Sequence, residues 1–151
     1  MAVPYELTYS ECQALLRSGV FGRIGLSTPH GPAVVPVNYA VSDSAILIRT
    51  ATNGLLATHG RGVRVAFEID HVDYTFHRGW SVMARGTTTI ADDPDEVARL
   101  PWGWEPKPWA GGDRPLLVTL PLTELTGRRL GAGWNPMSEL PGRRAWSQPL
   151  P

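Results

Sequence analysis

An apolar run that stops abruptly at a permanent cation and a hydroxyl is where this chain concentrates its chemistry. Ala45-Ile46-Leu47-Ile48 is followed directly by Arg49 and Thr50, and Asn53-Gly54 then turns into a short helical segment, Leu55 to His59. A guanidinium offers a charged fork that grips phosphate oxygens, and a threonine adds a hydroxyl donor. Amides at the start of a helix can face the same anion. A second reading stands beside this one: an arginine leaving a buried strand to pair with a surface carboxylate. One hairpin earlier, Val35-Pro36-Val37-Asn38-Tyr39 places a proline in a strand, which suits a sheet edge with backbone groups left open to a ligand. Gly79-Trp80-Ser81-Val82 adds an aromatic residue after His77-Arg78. Together these segments offer a phosphate anchor, exposed peptide groups and a wall for a flat ring.

Other catalytic patterns are missing. The sequence holds no Walker-type phosphate loop, no helix with two histidines four apart and no Gly-x-Ser-x-Gly elbow. Ser27 and Ser81 have no base nearby in sequence to mark a nucleophile. His71, Asp73 and His77 are close enough to suggest a metal site, but a turn of mixed polar residues explains them better. Asp92, Asp93, Asp95 and Glu96 read as helix capping rather than paired acid–base groups. No catalytic residue and no metal ligand is therefore named.

The elements that must position these residues are mostly strands. Thr8 with Glu11, and Ser10 with Gln13, have capping-box spacing ahead of a helix whose apolar face is Cys12, Leu15 and Leu16 and whose end is Gly19. Cys12 on that face reads as a small buried hydrophobe. Strands are predicted at 20–27, 33–41, 45–50, 63–70, 80–90 and 115–125, with turns at Pro29-His30-Gly31-Pro32 and Ser42-Asp43-Ser44. Asp93-Pro94 starts another short helix. The stretch 101–114 is too rich in Pro, Gly and Trp to be regular, and the chain after Gly127 reads as loop. Consecutive antiparallel hairpins of this kind make a small, largely antiparallel barrel.

Composition narrows the function classes. The chain has 151 residues with 14 basic and 14 acidic side chains and a formal net charge of zero, which argues against generic nucleic-acid binding. No run approaches the roughly 18 apolar residues of a membrane span, and the start does not resemble a signal peptide. The single cysteine excludes an intrachain disulfide framework. One domain in the cytoplasm, without a nucleic-acid or membrane partner, is the expectation.

The ordered segments carry a resemblance. The capped N-terminal helix, Val20-Phe21-Gly22-Arg23-Ile24-Gly25-Leu26-Ser27, Pro36-Val37-Asn38-Tyr39, Ile48-Arg49-Thr50, Val65-Ala66-Phe67-Glu68-Ile69-Asp70 and Gly79-Trp80-Ser81-Val82 together resemble the pyridoxamine 5′-phosphate oxidase-like family. The resemblance covers about residues 5–130. It implies a mainly β fold with short helices, a six-stranded antiparallel split β-barrel over 1–130, and a C-terminal extension over 131–151 packing on it. It also implies a homodimer with FMN at the interface, or in some branches deazaflavin or haem.

Carried over to this chain, the resemblance gives Arg49 and Thr50 the phosphate contact, and Gly54 and Leu55 the turn and helix start that complete it. Val37 and Asn38 fall on the strand beside the flavin ring. Trp80 and Ser81 fall on a segment that approaches the cofactor, in some members from the partner subunit. Trp109 is a candidate pocket wall, with a loop-anchoring role equally open.

The chain departs from the family pattern at two places. The short helix reads Leu55-Leu56-Ala57-Thr58 where relatives often carry a lysine, leaving Arg61 or Arg64 as stand-ins. No histidine follows His77, so the substrate motif of true pyridoxamine phosphate oxidases is absent. The implied activity is an FMN-dependent oxidoreductase that takes hydride from a reduced nicotinamide and acts on a small substrate. Its rivals are a deazaflavin reductase using Arg114, Arg128 and Arg129, and a non-enzymatic flavin or haem barrel with His30, His59, His71 or His77 as axial ligand.

Overall fold

The computed structural model describes residues 5–99 and 106–139. Trp102, Trp104 and the last part of the tail, 140–151, lie outside the described residues. A short strand β1 (Tyr5–Glu6) leads into helix α1 (Tyr9–Ser18). Thr8 is the N-cap: its hydroxyl accepts the Glu11 N–H, and the Glu11 carboxylate accepts the Thr8 N–H. Cys12, Leu15 and Leu16 are fully buried on the inner face of the helix. Burial pushes the Cys12 thiol above its ordinary pKa, the behaviour of an inert packing residue.

The barrel is built from two antiparallel sheets. Strands β2 (Phe21–Thr28), β3 (Gly31–Asn38), β6 (Arg64–Asp73), β7 (Arg78–Thr87) and β10 (Glu124–Leu130) join β1 in the order β1-β10-β7-β6-β2-β3. Strands β4 (Ala40–Val41), β5 (Ala45–Thr50), β8 (Thr89–Ala91) and β9 (Leu116–Pro121) form the second sheet, in the order β4-β5-β9-β8. Helices α2 (Leu55–His59) and α3 (Pro94–Ala98) and a 3-10 turn (Pro136–Glu139) complete the described chain.

Three of the predicted strands are each two strands. The run 33–41 breaks at Tyr39, where the chain passes from one sheet to the other; the Tyr39 hydroxyl donates to the Leu16 carbonyl and its N–H to Val20. The run 80–90 breaks at Thr88, a buried residue whose hydroxyl donates to the Gly60 carbonyl. The run 115–125 turns back at Leu122-Thr123 and becomes β9 and β10. At each break the chain changes sheets, which is what splits the barrel. Two further expectations are corrected. The segment after Gly127 continues as strand to Leu130, held by pairing with β7 and β1. The region of His71 and Asp73 is the end of β6: the Asp73 carboxylate accepts the N–H groups of Thr75 and Phe76 and pairs with Arg78, closing the hairpin.

The core lies between the sheets and under α1. Phe67, Ile24, Ile46, Ile48, Leu120 and Val118 are fully buried there. Gly22 permits β6 to lie close against β2: a Cβ at that position would stand 2.5 Å from the Phe67 ring and 2.8 Å from Ile69 Cγ2. Trp134 and Met137 pack against the same core, so the first part of the segment after residue 130 covers the barrel. No helix among the described residues is long and apolar enough to cross a membrane.

On the outer face of the six-stranded sheet two carboxylates stand beside one arginine. One Arg23 nitrogen stands 3.4 Å from Glu68 and 3.5 Å from Asp70. Partial burial, reinforced by a hydrogen bond and repulsion from Asp70, raises the Glu68 carboxyl from 4.5 to about 7 against the pull of Arg23. The folded state thus holds a proton that the unfolded chain releases. That contribution is full below about pH 4.5 and is lost as pH rises through about 7. Solvent screening of this partly exposed group reduces it to about 1 kcal/mol, or roughly 2–4 °C in Tm. Glu68→Gln should melt with wild type near pH 4.5 and above it at pH 8. Parallel melting curves across that range would refute the assignment.

Candidate functional site

Strand pairing brings the ends of β3 and β5 together with the start of α2. Thr50 pairs with Leu116 and Arg49 with Leu117, so the residues just before β9 arrive beside the end of β5. The segment 106–114, the end of β3 and the start of α2 enclose a cleft of about 450 Å³, within the usual size of small-molecule sites. Val37 and Asn38 line it from β3, Arg49 and Thr50 from β5, and Gly54 and Leu55 from the turn into α2. Trp109 closes one end, its ring stacked on Phe21 at 5.7 Å between centroids and 8° between planes.

Trp80 and Ser81 are not part of this cleft. Trp80 is buried in the core, on the same side of β7 as Val82 and Ala84 and beside the His71 ring. Ser81 faces the other way, between Asp70 of β6 and Arg128 of β10. Of the proposed stand-in cations, Arg61 donates to the Ile90 carbonyl and Arg64 pairs with Glu124; neither lines the cleft.

The second cation is Arg114. It lines the cleft beside Arg49, whose Nε donates to the Arg114 carbonyl at 3.0 Å. The Arg114 Nε is buried with no hydrogen-bond partner among the described residues. Leaving a buried guanidinium N–H unpaired is costly, and an anionic oxygen is the natural partner. The cleft is lined by these two guanidinium groups and by no carboxylate. A Cβ at Gly54 would make ordinary contact with Thr50 Oγ1 at 3.4 Å and with the Ala51 carbonyl at 3.5 Å, so the turn into α2 packs closely on the end of β5. Helix α2 has only five residues, so it contributes first-turn N–H groups rather than an appreciable dipole.

A cationic end, an aromatic end and an apolar strand between them suit a flat ring that carries a phosphate. Residues 8–129 match the sequence profile of the family described as pyridoxamine 5′-phosphate oxidase. The chain belongs to that family.

Relatives within it share the fold along most of the chain. A candidate pyridoxamine 5′-phosphate oxidase from Corynebacterium glutamicum is 31% identical, with a TM-score of 0.70 over 89% of this chain and 99% of that one. The FAD binding protein from Mycobacterium smegmatis is 28% identical, with a TM-score of 0.64 over 85% of this chain and 100% of that one. An uncharacterized protein of Mycobacterium tuberculosis is 36% identical over 107 residues, which is 64% of this chain and 70% of the relative. The architecture is the split β-barrel of this flavin-binding family. None of the chain's histidines lines the cleft, so the positions considered for a haem ligand lie elsewhere: His30 in the β2–β3 turn, His59 at the end of α2, and His71 and His77 near the β6–β7 turn.

Proposed function

We propose that the cleft binds FMN and that the protein is a homodimeric, FMN-dependent oxidoreductase passing electrons from a reduced nicotinamide to a small substrate. The observation that carries this reading is the partnerless buried Nε of Arg114 next to Arg49 in a cleft without carboxylates. Arg49, Arg114 and Thr50 would hold the phosphate, while Val37 and the Trp109–Phe21 pair would wall the ring. When bound, the flavin supplies the hydride transfer, and the protein supplies binding and orientation. The lining residues include no carboxylate, histidine or cysteine, which agrees with a site whose side chains position rather than react.

The M. smegmatis relative is an FAD binding protein, so the experiment compares flavins. The purified protein is titrated with FMN, FAD and riboflavin, with visible absorbance and flavin fluorescence as readouts. FMN binding at least tenfold tighter than riboflavin supports the reading. Equal affinity for FAD moves it to the dinucleotide, and no flavin binding sinks it. Of the three arginines named for the deazaflavin alternative, Arg114 lines the cleft, whereas Arg128 and Arg129 lie on β10 away from it.

The homodimer belongs to the same proposal. Phe21, Asp70, Ser81 and Arg128 lie on one end of the outer face of the six-stranded sheet, so a second copy set against that face would reach both Phe21 and Ser81. Light scattering during gel filtration should give twice the 16.5 kDa chain mass.

A further inference from the structure

One carboxamide ties together the two aromatic residues that close the cleft. Asn38 is the last residue of β3. Its Nδ2 donates to the Val20 carbonyl at 3.2 Å, and its Oδ1 accepts the Trp109 N–H at 2.7 Å. Val20 directly precedes Phe21, and the Trp109 ring lies flat on the Phe21 ring. Both bonds of the Asn38 side chain therefore end beside the stacked pair, from positions 18 and 71 residues away in sequence.

Little else fixes the middle of this segment. Trp109 is 61% exposed, so its own burial holds it weakly. The buried ring of Pro106 anchors the chain on one side, and the bond from Arg49 to the Arg114 carbonyl anchors it on the other. Between Trp109 and Arg114 lie Gly111 and Gly112, which stiffen nothing. Among the described residues, the bond at Asn38 is the hydrogen bond that sets where Trp109 stands.

We propose that Asn38 is a positioning residue that latches the Trp109 wall onto Phe21, so that ring recognition depends on it and phosphate recognition does not. This rests on the flavin reading of the cleft. The two ends are then separable, with Arg49 and Arg114 reading the phosphate and the latched aromatic pair reading the ring. A ligand that has the ring but lacks the phosphate, riboflavin, distinguishes them.

Asn38→Ala should weaken FMN and riboflavin by the same factor, about tenfold, leaving their ratio as in wild type. In ligand-free protein it should also make tryptophan fluorescence more quenchable by acrylamide, and this increase should vanish in a Trp109→Phe background. Asn38→Asp keeps the acceptor for the Trp109 N–H and loses the donor to Val20. It should therefore retain wild-type quenching and most of the affinity for uncharged riboflavin.

If Asn38→Asp behaves as Asn38→Ala, the bond to Val20 is what matters and the latch is overturned. Unchanged quenching and affinity in Asn38→Ala overturn it as well, and so does a loss confined to FMN. Should wild type bind neither flavin, the flavin reading fails, and the quenching comparison still decides whether Asn38 holds Trp109.

Discussion

Replacing Arg49 with alanine should weaken FMN binding 10- to 100-fold while leaving riboflavin affinity within about threefold. A hydrogen bond to a charged group contributes about 1.5–3 kcal/mol, and tenfold in Kd is about 1.4 kcal/mol. The wide range reflects a second loss. The Arg49 Nε also holds the Arg114 carbonyl at 3.0 Å, so the alanine variant frees the neighbouring cation's backbone as well as removing a charge. Arg114→Ala separates the two effects, because it deletes a guanidinium and keeps that carbonyl. Its loss should be smaller than that of Arg49→Ala. Arg49→Lys should fall between alanine and wild type, since an ammonium keeps the charge but not the planar fork. FMN titrations at two salt concentrations complete the comparison: wild-type affinity should fall with added salt, and the double alanine variant should show little dependence. If Arg49→Ala reduced riboflavin as much as FMN, the phosphate would not be held at this end of the cleft.

The largest effect on stability should come from Phe67→Ala, about 3–5 kcal/mol. Phe67 is fully buried at the centre of β6. Its ring meets Tyr39 edge-on at 4.9 Å, and it fills the space that Gly22 leaves vacant on β2. Removing the ring leaves a cavity bordered by two strands and by the residue where the chain changes sheets. For a chain of this length the loss corresponds to a Tm lower by about 10 °C. Phe67→Leu, which keeps most of the volume, should cost less than about half as much. Differential scanning calorimetry measures both, and a drop below about 3 °C for the alanine variant would mean that the site collapses around the missing ring.

Much of the architecture is legible in the chain because local signals agree with the fold. Helix α1 shows both its capping box and its apolar spacing, and Ala45–Thr50 shows its buried strand by composition alone. The breaks at Tyr39, Thr88 and Leu122-Thr123 are not visible in that way. The alternation of strand residues runs past them, and only a tertiary partner, such as the Leu16 carbonyl for Tyr39 or the Gly60 carbonyl for Thr88, makes the chain change sheets.

The site divides along the same line. Val37, Asn38, Arg49, Thr50, Gly54 and Leu55 converge on one cleft, since they sit at the ends of elements that the sequence marks, and Trp109 joins them from the irregular segment before β9. Arg114 as partner of Arg49 was hidden in a Gly-rich stretch. The available signal was the apolar run Leu116-Leu117-Val118, which pairs with the similar run ending at Arg49 and so carries Arg114 there. Trp80 could have been assigned to the core, because it alternates in step with Val82 and Ala84.

The two prolines of β3 have a consequence for how the protein behaves when crowded. β3 is the last strand of its sheet, and the bond from the Tyr39 N–H to Val20 fixes which residues of the strand turn their backbone toward β2. By that alternation, positions 32, 34, 36 and 38 turn theirs away. Proline at 32 and 36 leaves only Val34 and Asn38 with an outward N–H, so an incoming strand finds two donors four residues apart where a regular edge would present a row. Runaway strand addition is thereby denied a template at the rim of the larger sheet. Concentrated or refolding protein should remain free of cross-β fibres seeded at this strand, whatever its faces do.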